Sequence, residues 1–255
     1  MTKFKSLVFR ELKLSRKHYL GAFALILLFG ALMVLCVFVA GGEGVKNGEH
    51  MDAFALMMSY GFAAISAACA AGDNGVFKAD MAAGWHSYFQ ALPVTSFEKT
   101  AARYAVKVLF ILLGLIAFLL GTNIIFAAGA GTFSASAVFS FFILLDFFLI
   151  FDIVYQAIML RANDMKSLKK MGVIAGGVVV AVFTVLDYLP TGTLPFDEDA
   201  LMTDMETMQS PAMLNRYLQY LTIPDTWGYI GIAVTVILLT AGFIITMKTD
   251  GRKAE

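Results

Sequence analysis

Six stretches of this chain are long and apolar enough to restrict what it can fold into: residues 19–40, 53–71, 105–126, 137–160, 171–189 and 227–247. The first, second and sixth carry no charge. Lys107 interrupts the third, Asp146 and Asp152 the fourth, and Asp187 falls near the end of the fifth. Each run is close to the ~20 residues with which an α-helix crosses a hydrocarbon core about 30 Å thick. Lipid offers no partner to a free N–H or C=O, so such runs must be helical. The expected fold is an all-α membrane protein with six transmembrane helices in one domain covering residues 1–255.

Composition supports the same class. Hydrophobic residues make up 59% of the chain and charged residues 15%, whereas soluble domains run near 45–50% and about 25%. The basic residues are divided among separate loops, and no nucleic-acid partner is expected. Cys36 and Cys69 both lie inside apolar runs and read as small buried hydrophobes. The first run, 22 residues long, exceeds the ~7–15 residues of a signal-peptide core, so a membrane span is expected there instead of a cleaved leader.

Orientation follows from Lys and Arg. Seventeen of the nineteen lie on the side of the N-terminus, and only Lys46 and Arg216 lie opposite. Cytoplasmic loops carry the excess of positive charge. Residues 1–18, 72–104, 161–170 and 248–255 are therefore expected in the cytoplasm, together with both termini. The outer loops are then 41–52, 127–136 and 190–226. The last is acidic, and Ser210-Pro211 offers an N-cap followed by proline at the first helical position. Met213, Leu214, Tyr217, Leu218 and Leu221 follow at helical spacing, which predicts a short outer amphipathic helix before the sixth span.

Ahead of the first span, Phe4, Leu7, Val8 and Leu12 form an apolar stripe among Lys3, Lys5, Arg10, Lys13, Arg16 and Lys17. A basic amphipathic helix of this kind is expected to lie in the headgroup layer of an anionic leaflet, as an elbow before the first span. The alternative is a solvated positive flank that only sets topology. The interval 73–104 is the longest polar one among the first four runs. It contains Lys78, Lys99 and Arg103, the cluster Trp85-His86-Ser87-Tyr88 with Phe89, and the break Leu92-Pro93-Val94.

Motifs for chemistry are absent. The chain has no GxSxG, HExxH, CxxC or G-x-x-x-x-G-K-[ST] pattern. His18, His50 and His86 are spread over both sides of the membrane and cannot form one ligand set, so no metal site is expected. Charges inside the spans draw attention as functional candidates. Lys107 lies a few residues into the third span, and Asp152 lies eight before the end of the fourth at Leu160, or about 12 Å of helix. Their depths match, and an ion pair between them is expected. Asp146, nearer mid-membrane, has no cation at its depth. It reads either as a structural carboxyl bonded to polar neighbours or as a proton or cation site.

At 73–104 the chain resembles the permease subunits of bacterial type-2 ABC exporters. The resemblance rests on Leu92-Pro93-Val94-Thr95 and Arg103-Tyr104 leading into the third span, and on Phe9-Arg10-Glu11-Leu12 with Arg16-Lys17 as the elbow. It covers the six-span layout and looks closest to small permeases of peptide exporters and lantibiotic-immunity systems. It implies a bacterial plasma-membrane location, a second permease subunit (the same chain or a homologous one), and separate cytoplasmic ABC ATPase subunits. ATP and Mg would bind to those partners, and this chain would hold no cofactor and catalyse no reaction. A coupling helix within 78–90 would dock on the ATPase, with Lys78, Trp85, Tyr88, Phe89, Leu92 and Pro93 at the contact; a helix resting on lipid headgroups is the alternative.

The expected function is thus the membrane-spanning subunit of an ATP-driven exporter of amphipathic or hydrophobic substrates. An ion- or proton-coupled carrier using Asp146 and Asp152 is the first alternative, and a non-transporting scaffold subunit the second.

Overall fold

The computed structural model describes residues 3–42, 48–72, 76, 94–128, 133–159, 166–167, 169–170, 172–174, 177 and 223–251. Five helices occupy nearly all of them: α1 (Lys3–Gly42), α2 (Gly48–Ala71), α3 (Ser96–Ala128), α4 (Ala135–Met159) and α5 (Asp225–Gly251). The described structure is all-α. Four of the helices, α1, α3, α4 and α5, are long and apolar enough to cross a membrane, so the chain is a multi-pass membrane protein. The second expected span falls in α2, whose described apolar part, Ala55–Ala71, is shorter. The fifth, 171–189, lies largely outside the described residues, as do the outer helix near 210–221 and the docking segment 78–93.

The first helix differs from expectation. Instead of an elbow followed by a span, α1 is a single helix of 40 residues, about 60 Å long at 1.5 Å per residue. No proline interrupts it, and its amino-terminal turns have a protein surface to bury against. The face that is buried is Leu7, Glu11, Ser15 and Tyr19, at intervals of four, while Phe4 and Phe9 stay exposed. Leu7 packs with Ala102 of α3, and Val8 and Val94 close around them. Tyr19 stacks on Phe110. The amino-terminal turns of α1 are therefore held by α3 and do not rest on lipid alone.

At the centre of the packing is α2, which touches α1, α3 and α4; α5 lies against α4 and α3. Its small residues make this position available. Ala55, Ala63, Ala67 and Ala71 are fully buried, with Ser59 and Ser66 between them, and short side chains let helix backbones approach where no hydrophobic effect drives association. Phe62 is the exception. It fills the space over Gly121 of α3, where any β-carbon would overlap its ring, and it stacks with Phe118, which stacks in turn on Phe141 of α4. These three rings are among the largest fully buried side chains and tie α2, α3 and α4 into one core.

Candidate functional site

Three helices converge on a buried polar cluster near the amino-terminal third of α3. Its origin is local. Thr95 and Glu98 form a reciprocal N-terminal cap. The Thr95 N–H and hydroxyl both donate to Glu98 Oε2 at 3.0 Å, and the Glu98 N–H donates to Thr95 Oγ1 at 3.2 Å. This satisfies donors that a helix start leaves open. It also places a carboxylate at the positive end of the helix dipole. The Thr95 donors hold the Glu98 carboxyl below its ordinary pKa. The spacing T-x-x-E, which the reading of the sequence passed over, is the signal that marks the first turn of α3, two residues past Pro93.

From that fixed start, Tyr104 and Lys107 fall on the buried face of α3. Tyr104 leans on α5: its hydroxyl lies 3.5 Å from Thr246 Oγ1, and its ring meets Phe243 edge-on at 5.6 Å, as does Phe97. The fit requires Gly242, since a β-carbon there would come within 2.5 Å of the Tyr104 hydroxyl and 2.9 Å of Ile153 Cγ1. Lys107 points the other way, to α4, and its ammonium pairs with Asp152 Oδ2. Gln156, one turn along α4, donates to the same oxygen at 2.8 Å. Both charged groups are buried, with side chains 7% and 3% exposed. Asp152 Oδ1 and Gln156 Oε1 are buried without a hydrogen-bond partner among the described residues.

This pair lies where it has mechanical consequence. Between their backbones α3 and α4 make only a sparse contact, whereas each packs extensively on α2. Lys107–Asp152 adds a charged tie to the Phe118–Phe141 stack across this thin seam. Asp146, six residues along α4 and about 9 Å deeper, faces a different helix, as a separation of six residues requires. The Thr235 hydroxyl of α5 donates to Asp146 Oδ1 at 2.5 Å and has the Gly231 carbonyl at 3.1 Å. Asp146 and Asp152 therefore each have their own helix partner, and the two do not share a site. Among the described residues no group of three metal-ligating side chains occurs.

Of the other residues singled out by sequence, Arg10 pairs with its neighbour Glu11 at 3.2 Å, Leu12 is half-buried, and Arg16 is exposed. Lys78, Trp85, Tyr88, Phe89, Leu92 and Pro93 lie outside the described residues. The chain matches no known family and no curated protein.

Proposed function

We propose that this chain is the membrane-spanning subunit of an ATP-driven exporter of amphipathic or hydrophobic substrates, working with separate ATPase subunits. The observation that carries this reading is the continuity of α3. Its capped start follows directly on the polar interval 73–93, and the same rigid helix carries Lys107 into Asp152 and Tyr104 into Gly242 and Thr246. A partner gripping Trp85, Tyr88 and Phe89 would displace the start of α3 and so move α4 and α5, which meet it at those residues. Aromatic side chains of this kind commonly dominate such contacts. The resemblance of residues 92–104 to type-2 exporter permeases supports the same assignment.

The carrier reading asks for intramembrane carboxylates that exchange protons or cations. Lys107 already neutralises Asp152, and Thr235 bonds Asp146; both arrangements favour structural ties over an open ion site. The test is energetic. Cells producing the chain with its partners are loaded with a fluorescent amphipathic peptide, and efflux is followed while an ionophore collapses the proton gradient with ATP preserved. An ATP-driven exporter continues, and Asp146→Asn, which gives Thr235 an amide partner, leaves efflux within about twofold. Efflux that stops at once, or is abolished by Asp146→Asn, makes the chain a carrier.

A further inference from the structure

The seam between α1 and α3 holds an apolar groove floored by α2. One segment, about 310 Å³, is lined by Arg16, Tyr19, Ala22, Phe23, Cys69 and Phe110 among others. A second, about 610 Å³, continues past Phe23 and Ile26, which line both, toward Phe38. Among the described residues the only charge lining either segment is Arg16, which is exposed at one end and makes no ion pair with another described residue. Lys13 and Lys17 flank it, also exposed.

From Arg16 to Ile26 the axis of α1 advances about 15 Å, half of a hydrocarbon core about 30 Å thick. A phosphate at Arg16 therefore sets an acyl chain alongside Tyr19 and Phe23, with its end near Ile26 at mid-membrane. Volumes of about 310 and 610 Å³ take an alkyl chain laid between α1 and α3, and a helix with its side chains is about 10 Å across. Arg presents a planar donor fork that binds phosphate oxygens in pairs. With Lys13 one turn before it on the same side of α1, the mouth favours a headgroup of net negative charge and disfavours one carrying a quaternary ammonium; Lys17, the next residue, is turned about 100° around the helix and does not line the groove.

We infer that this groove binds one anionic phospholipid per chain, with its phosphate on Arg16 and one acyl chain between α1 and α3. The site requires only that the chain be in a membrane and does not depend on the export reading. Native mass spectrometry of the full chain, exchanged into equal amounts of phosphatidylglycerol and phosphatidylcholine, tests it. The expected result is one retained phosphatidylglycerol per chain, preferred by about tenfold. Arg16→Gln removes the preference, Lys17→Gln keeps it, and Ala22→Phe, which fills the groove, reduces retention of both lipids.

A second readout uses Cys69 in the groove wall. In a Cys36→Ser background, phosphatidylglycerol slows its reaction with an uncharged maleimide, and Arg16→Gln restores the rate. Equal retention of the two lipids overturns the inference. So do equal losses from Arg16→Gln and Lys17→Gln, or Cys69 labelling indifferent to lipid. A lipid-free dimer that Ala22→Phe dissociates assigns the groove to a second copy of the chain and also overturns it.

Discussion

At the scale of single residues, the Lys107–Asp152 pair sets the energetics. Taking two charges out of water costs much of what their attraction returns, so the pair adds little net stability, while removing one partner leaves the other buried and unpaired. Lys107→Met or Asp152→Asn alone should each destabilise the folded chain by about 3–5 kcal/mol. The double variant should lose far less than the sum, because no uncompensated charge remains. Thermal unfolding of the three variants in one detergent measures this, and additive losses would mean that the two groups do not depend on each other. Glu98 supplies a pH dependence of opposite origin to burial. Its pKa is lowered by the Thr95 donors, so the cap is at full strength above the ordinary carboxylate range and is lost as pH falls through the lowered folded value. Amides in the first turn of α3 should therefore exchange faster, relative to their intrinsic rates, at acidic pH than at neutral pH. Thr95→Ala should abolish that difference.

At the scale of elements, the contact of α3 with α5 depends on one missing side chain. Gly242→Ala would drive a β-carbon into Tyr104 and Ile153, and overpacking of this kind costs about 1–3 kcal/mol; a variant as heat-stable as the parent would show that the two helices are not held together there. What was legible in the sequence divides along the same line. The positions of α3, α4 and α5 follow from the apolar runs, and matching depth alone pointed Lys107 at Asp152, because both constraints act along a helix axis. The start of α3 at Ser96 was missed, nine residues before the apolar run at 105, although Thr95 and Glu98 carry a T-x-x-E signal for it. Which helix each face meets was not legible. Tyr104 against Gly242, and Asp146 against Thr235, depend on how helices are rotated and ordered around α2, and a single sequence carries no direct record of that. The elbow shows the same limit. Phe4, Leu7, Val8 and Leu12 form the more apolar stripe, yet α1 buries Leu7, Glu11, Ser15 and Tyr19 because α3 offers a surface to that side.

At the scale of the whole molecule, α1 and α3 are each longer than a bilayer core requires: 40 and 33 residues, or about 60 and 50 Å, against a hydrocarbon thickness of about 30 Å. Their paired amino-terminal parts, joined at Leu7 and Ala102, carry Lys3, Lys5, Arg10, Lys13, Arg16, Lys17, Lys99 and Arg103. In the export reading this paired part is the lever on which a partner acts, with the interval 73–93 as its handle and Lys107, Tyr104 and their partners as the points where movement enters α4 and α5. The most direct measurement is affinity purification of the tagged chain from its native host in mild detergent, with identification of the proteins that accompany it. The export reading predicts a co-purifying ABC ATPase that is lost when Trp85→Ala and Tyr88→Ala are combined, while the variant still inserts in the membrane. Purification without an ATPase, even after gentle crosslinking, or an ATPase retained by the double variant, would contradict it.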